Sequence, residues 1–214
     1  MESTLALFEA AGLRIEKVGA GRGYLGTIPA LKRCDVVFTS ASEIAAALRH
    51  GRVHMGVTGE DLVREEIADV DNTVTFLKKL GFGHANVIVA VPQCWVDVRE
   101  MRDLAEVGFQ FRNAHGRRMR VATKYTNLTR QQFTLHAVPD YRIVESLGAT
   151  EGTPSAGTAE LIVDITSTGA TLEANGLKIL EDGVVLKSEA NLLASKTAVW
   201  SPPVRAIENQ IIEA

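Results

Sequence analysis

Apolar positions along the chain switch repeatedly between a helical and an extended period. Leu5, Leu7, Phe8 and Ala11, preceded by Ser3 and Thr4 and followed by Gly12, predict a first helix with a glycine stop. Residues 13–18 alternate like an exposed strand, and 35–39 read as another. A helix over 43–50, capped by Ser40 or Ser42 and stopped by Gly51, precedes a strand at 53–57 and a helix beginning at Glu60 and Asp61. Strands at 74–77 and 85–91, a short helix at 98–104, a strand at 120–123, a helix over 128–136 capped by Thr126 or Asn127, and a strand at 141–144 continue the alternation. A short helical turn is expected at 155–159, before the run Leu161, Ile162 and Val163, which Asp164 ends. The segment 167–171 then turns into a helix at 172–175. Strands or crossing segments at 177–180, 183–187 and 190–194 and a helix starting at Pro202 and Pro203 close the pattern. Strand alternating with helix predicts an α/β fold on a parallel sheet. Two lobes are expected, 1–85 plus 178–214 and 86–177, with a cleft between them as the natural place for substrate.

Chemistry concentrates at 159–177. Ser167, Thr168, Gly169, Ala170 and Thr171 bring hydroxyls and backbone N–H groups together where a strand turns into a helix, which suits an anion. A serine- and threonine-rich connector is equally explained by ordinary capping. The carboxylate just before it shifts the balance. Asp164 beside a phosphate cradle repels the phosphate but accepts from ribose hydroxyls, so the motif points to a sugar phosphate. Lys124, at a strand end, adds a cation. Thr58, Gly59, Glu60 and Asp61 stand at a strand's C-terminal end, where open sheets bind ligands, although a plain helix cap has the same look. Arg22, in a glycine-rich loop, is either a solvated residue or a cation closing over an anionic substrate. Arg112, His115, Arg117, Arg118 and Arg120 read as a solvated surface before a strand.

Composition narrows the classes. The 214 residues are 46% hydrophobic with a net charge of −3, so no general basic field favours nucleic acid. Cys34 and Cys94 are far apart and form neither a disulfide framework nor a zinc pattern. The N-terminus carries no basic stretch of signal-peptide type and no segment approaches a membrane span, so a cytoplasmic location is expected.

Four segments carry a resemblance to the ATP phosphoribosyltransferase catalytic subunit, in that family's order and spacing. They are 56–62 (GVTGEDL), 122–125 (ATKY) with 128–130 (LTR), 145–151 (ESLGATE) and 164–177 (DITSTGATLEANGL). The last is the most specific. Other phosphoribosyltransferases place two adjacent acids before such a loop, whereas Ile165 follows Asp164 here. The resemblance implies a two-lobed fold like that of periplasmic binding proteins and the condensation of ATP with 5-phosphoribosyl 1-pyrophosphate that opens histidine biosynthesis. It implies that Asp164, Thr166, Ser167, Thr168, Gly169, Ala170 and Thr171 hold the phosphoribosyl group. Ser42, Glu43, Thr58, Gly59, Asp61, Lys124 and Glu151 are implied to line the ATP side and the rest of the cleft, and Arg22 to meet pyrophosphate with Mg²⁺. The family also begins with an apolar strand and a basic turn that this sequence does not carry, so the first lobe is expected without its N-terminal strand. At this length the chain resembles the short form, which works as a homodimer with a regulatory subunit related to histidyl-tRNA synthetase. A non-catalytic small-ligand-binding protein of periplasmic type is the competing reading.

Overall fold

Eight α-helices and eleven strands are assigned among the residues described by the computed structural model, which are 1–18, 24–32 and 34–213. In chain order they are α1 (Glu2–Ala10), β1 (Glu16–Val18), β2 (Leu25–Thr27), β3 (Asp35–Val37), α2 (Ala41–Arg49), β4 (Met55–Gly59), α3 (Glu60–Glu66), α4 (Val70–Thr73), β5 (Val74–Lys79), β6 (Ala85–Pro92), α5 (Met101–His115), β7 (Met119–Thr123), α6 (Thr126–Leu135), β8 (Tyr141–Glu145), β9 (Leu161–Thr166), α7 (Ala170–Ala174), β10 (Leu177–Ser188), β11 (Ala190–Ser195) and α8 (Pro202–Glu213). Contacts divide them into two units, Met1–Gly83 with Glu189–Ala214, and His84–Ser188.

The first unit is built on β11. Its six residues are all buried, and it lies antiparallel between β4 and β5. Successive side chains on a strand point to opposite faces. Leu193 therefore joins Ala45, Leu48, Val63 and Ile67 from α2 and the α3 region, while its neighbour Leu192 joins Ala11, Leu13, Ile28 and Ile211 on the other face. One strand thus supplies both cores. Strands β1, β2 and β3 form a separate antiparallel sheet.

The second unit holds a five-stranded sheet in the order β10-β6-β9-β7-β8. It is mixed: β8, β7 and β9 are parallel, β6 is antiparallel to β9, and β10 is antiparallel to β6. The all-parallel sheet expected from the alternation is therefore corrected, because β6, inserted between β9 and β10, runs opposite to both of its neighbours. Residues 178–188 pair with β6 and lie in the second unit, where the expected division assigned them to the first. Ile88, Ala90, Ala122 and Ile162 share one face with Leu172 of α7.

Local chemistry explains other differences. Helix α5 runs unbroken from Met101 to His115, well past the expected end at 104. Gly108 does not stop it; a Cβ there would come within 3.0 Å of Met119 Cε and 3.5 Å of Asp140 Cβ, so the missing side chain lets the helix pack closely against the sheet. The stop is Gly116, left-handed at φ 65°. Neither Thr126 nor Asn127 caps α6, which begins after Tyr125, whose N–H donates to Thr123 Oγ1 at 2.8 Å. The helical turn expected at 155–159 is instead a 3-10 turn at Thr150–Gly152.

Glu160 ties the approach to β9 to the start of β7. It accepts from Arg117 through both oxygens at 3.0 Å, and from the Arg120 guanidinium at 2.7 and 3.2 Å and the Arg120 N–H at 2.6 Å. Burial opposes its charge, but the hydrogen bonds from Arg120 and Arg117 outweigh this and hold the carboxyl at about 2. A depressed folded value gives stability that is complete above the ordinary glutamate value and is lost as pH falls toward 2. Glu160→Gln is expected to lower stability near neutral pH by about 1.5–3 kcal/mol, with the difference from wild type closing at about pH 2 in denaturant melts. Leu193→Ala should cost about 2–5 kcal/mol in the same measurement, since it opens a cavity in a fully buried site.

Candidate functional site

The parallel register places three strand ends side by side. Thr123 pairs with Glu145 on β8 and with Val163 on β9, so the next residue of β7, Lys124, comes level with Asp164. Ser146 N–H donates to the Thr123 carbonyl at 3.0 Å and extends the β7–β8 ladder by one bond. After β8 the chain reverses through Ala149, a non-glycine residue at φ 50°, and the 3-10 turn carries Thr150 and Glu151 back toward β9.

Asp164 does not end its strand as the sequence pattern suggested. It lies inside β9, paired with Ile88 of β6, and the strand continues to Thr166 because β6 offers partners as far as Asn86. Asp164 alternates in phase with Ile162 and so faces the α7 side. It is half-buried. Ile165 N–H donates to its Oδ1 at 2.8 Å, and the Thr150 hydroxyl hydrogen-bonds to it. Burial pushes the carboxyl above the usual aspartate range and Glu151 adds to the rise, while the Ile165 N–H, Lys124 and Thr150 act against it.

A hollow of about 360 Å³ opens beside this carboxylate, lined by Ala85, Glu151, Asp164, Ile165, Thr166, Ser167, Thr168, Thr171 and Leu172. The turn that forms its rim is held by its own hydroxyls. Thr166 Oγ1 accepts the Gly169 N–H at 2.8 Å, and Thr168 Oγ1 accepts the Ala170 N–H at 3.4 Å. Among the described residues neither hydroxyl donates a hydrogen bond. Ser167 is different: its hydroxyl donates to the His84 carbonyl at 3.0 Å, leaving only acceptor lone pairs. Gly169 takes φ 79°, which a side chain would resist.

Six predicted residues, Glu151, Asp164, Thr166, Ser167, Thr168 and Thr171, therefore line one hollow in the second unit. Gly169 and Ala170 shape its rim, and Lys124 is exposed, with its ammonium 5.0 Å from the Tyr125 ring. The sequence reading passed over Thr150, a buried hydroxyl within reach of both Asp164 and Ser146. Its signal was adjacency to Glu151 in a turn that must reverse tightly.

In the first unit, Ser42 and Glu43 lie in the first turn of α2. Glu43 closes a capping box with Ser40 and also accepts from the Thr39 hydroxyl. The hydroxyls of Thr39 and Ser40, with the Ser40 N–H, hold its carboxyl at about 2. Its oxygen Oε2 is thereby engaged within the helix start. Thr58 donates to the Ala41 carbonyl at 2.9 Å, Gly59 is the N-cap of α3, and Asp61 is buried in that helix's first turn. Arg22 lies outside the described residues. Among the described residues no helix is long and apolar enough to cross a membrane.

Solved structures with this fold define the class. The chain aligns with an arginine-, lysine-, histidine-binding protein from Geobacillus stearothermophilus at a TM-score of 0.54 and 14% identity, over 99% of this chain and 77% of that one. It aligns more fully with the ATP phosphoribosyl transferase (HisG:HisZ) complex from Thermotoga maritima, at a TM-score of 0.72 and 20% identity over 99% and 93% of the two chains. The fold is thus α/β of the periplasmic-binding-protein-like type. The family model of ATP phosphoribosyltransferase (HisG) matches residues 40–213, and the chain belongs to that family. It is 58% identical over 212 residues to the ATP phosphoribosyltransferase of Bradyrhizobium diazoefficiens and 62% identical over 200 residues to that of Rhodopseudomonas palustris strain BisB18. These alignments cover 99% and 94% of this chain; the chain spans 65% and 62% of those relatives' lengths.

The raised Asp164 value sets a pH dependence. The folded state holds the proton more tightly than the unfolded chain, so the contribution to stability is complete below the ordinary carboxyl value and is lost as pH rises through the folded one. Asp164→Asn keeps an acceptor for the Ile165 N–H and removes the buried charge. The variant is expected to melt above wild type near pH 7 and together with it near pH 3, by circular dichroism. A variant less stable than wild type near pH 7 would contradict the burial account.

Proposed function

We propose that this chain carries the catalytic centre of ATP phosphoribosyltransferase. In that reaction N1 of the ATP adenine attacks the anomeric carbon of 5-phosphoribosyl 1-pyrophosphate, the bond from that carbon to the pyrophosphate oxygen breaks, and N1-(5-phosphoribosyl)-ATP and pyrophosphate leave. One observation carries the reading: in a chain of this family, a half-buried carboxylate stands beside a hollow rimmed by the Thr166–Thr171 hydroxyls. Asp164 accepts from the ribose hydroxyls. Thr166, Thr168 and Thr171 donate to the 5-phosphate, Ser167, Gly169 and Ala170 fix the turn that presents them, and Lys124 offsets the acids next to the sugar.

The chemistry needs no protein nucleophile, because adenine N1 is itself the attacking atom. What the chain supplies is position and charge. Among the described residues no group of three His, Cys, Asp or Glu side chains could hold a metal ion. Mg²⁺ is content with one or two carboxylates and substrate phosphates, so Asp164 and Glu151 fit an ion that arrives on the pyrophosphate. Bound there, Mg²⁺ would neutralise charge developing on the leaving pyrophosphate.

On the family's pattern Ser42, Thr58, Gly59 and Asp61 are assigned to ATP, and Glu43, already engaged in its cap, to shaping that helix start. Assembly as a homodimer with a regulatory subunit related to histidyl-tRNA synthetase belongs to the same reading. The Thermotoga maritima neighbour, a HisG:HisZ complex, supports assembly with a second kind of subunit.

The test is direct. The chain is mixed with ATP, Mg²⁺ and 5-phosphoribosyl 1-pyrophosphate, alone and with the candidate regulatory subunit, and phosphoribosyl-ATP is followed by its ultraviolet absorbance. Substrate binding with no product under either condition would favour a non-catalytic binding protein. In the active form, Arg22→Ala is expected to lower kcat by about 10²–10³ with an unchanged melting temperature, as for loss of one donor to a developing oxyanion. An unaltered single-turnover rate removes Arg22 from the reaction.

A further inference from the structure

The solvated basic run at 112–120 is only part of a larger arrangement in the second unit. Arg117, Arg118 and Arg120 meet Arg130 of α6 and Arg142 of β8 around a hollow of about 660 Å³, completed by Pro139, Tyr141 and Ile143. Five guanidinium groups line it. Two carboxylates stand behind them: Glu160 holds Arg117 and Arg120, and Asp140 holds Arg118 at 3.7 Å. Asp140 is further engaged by Arg112 at 2.7 Å. Among the described residues Arg130 and Arg142 form no ion pair, and both are exposed.

The register makes this costly. Arg120 and Arg142 are direct partners on the parallel strands β7 and β8, so two cations stand side by side on one face. Of this pair, Glu160 compensates Arg120 and leaves Arg142 without a counter-charge among the described residues. A charge on β8, the edge strand of its sheet, would by itself discourage pairing with another chain. Edge protection needs one solvated charge on the strand. It needs neither a hollow nor the convergence of Arg130 from a helix and 117–120 from the neighbouring strand on the same space.

We propose that this hollow is a binding site for a phosphate-bearing small anion, separate from the hollow at Asp164. Guanidinium forks match the oxygens of phosphate in two-pronged hydrogen bonds. Glu160 occupies the forks of Arg117 and Arg120 and Asp140 lies near Arg118, so these three add positive field and shape. Arg130 and Arg142, which form no ion pair among the described residues, supply the forks that close on the ligand. The volume exceeds a single phosphate and falls in the range of small-molecule pockets, and Tyr141, Pro139 and Ile143 give it an apolar wall. Free pyrophosphate and the phosphates of a nucleotide present the same chemistry, and the experiment separates them.

Pyrophosphate and ATP, each without metal, are titrated calorimetrically at low ionic strength into three proteins: wild type, the double variant Arg130→Gln/Arg142→Gln, and Thr168→Ala/Thr171→Ala. The arginine variant is expected to lose, by about ten- to a hundred-fold per guanidinium, a binding component that the threonine variant retains. Added salt should weaken that component. Loss for ATP alone identifies a nucleotide, and equal loss for both probes identifies the phosphates as what is read. Arg130→Lys/Arg142→Lys, which keeps the charge, is expected to recover part of the affinity, and circular dichroism melts confirm the fold of each variant. Wild-type isotherms for both probes in the Arg130→Gln/Arg142→Gln protein would overturn the proposal and leave these arginines as edge-strand charges.

Discussion

Parallel pairing of β8, β7 and β9 is the constraint from which the second unit's chemistry follows. Parallel strands point their C-terminal ends the same way, so the residues just past Thr123 and Glu145 emerge level with Asp164. Lys124 needs no contact of its own to be near that carboxyl; the ladder puts it there. Glu151 arrives by the turn after β8. The same register seen from the opposite ends of the strands sets Arg120 beside Arg142. One hydrogen-bonding pattern thus makes an acid-centred hollow at one edge and an arginine-lined hollow at the other.

The first unit depends on a different restriction. Strand β11 is contributed from far along the chain and is covered on both faces, so its side chains cannot alternate between polar and apolar as in a one-sided sheet. Asn191 shows the strain this imposes. It is completely buried at the start of the strand and its side-chain amide donates to the Glu189 carbonyl at 2.9 Å, while its side-chain Oδ1 has no hydrogen-bond partner among the described residues.

Local signals in the sequence were readable where one residue carries the physics. Gly12 and Gly51 end helices in the left-handed conformation, and Ser40 and Glu43 form a reciprocal cap. The stretch 164–171 was recognisable as an acid beside a hydroxyl-rimmed turn because its residue types show this without reference to pairing. Strand direction was not readable. Val87, Val89 and Val91 would look the same in a parallel or an antiparallel neighbour, and nothing local says that β6 crosses β9 antiparallel. For the same reason Asp164 looked like a strand end: its continuation depends on Asn86 and Val87 opposite. The end of α5 was not readable either: the continuation past 104 depends on Gly108 packing against Met119 and Asp140, which are distant in the chain. The arginine hollow draws on three separate segments, and a linear reading met them as unrelated surface charges.

Gly169 bears a consequence of its own. The space where its Cβ would stand is empty to 4 Å, yet its φ is 79°. The position therefore discriminates by handedness and not by size. A D-alanine placed there by chemical synthesis would meet no neighbour and would favour the conformation that the glycine adopts only at an entropic cost. The turn at the rim of the hollow would then give up less conformational freedom on folding, with its hydroxyls unchanged.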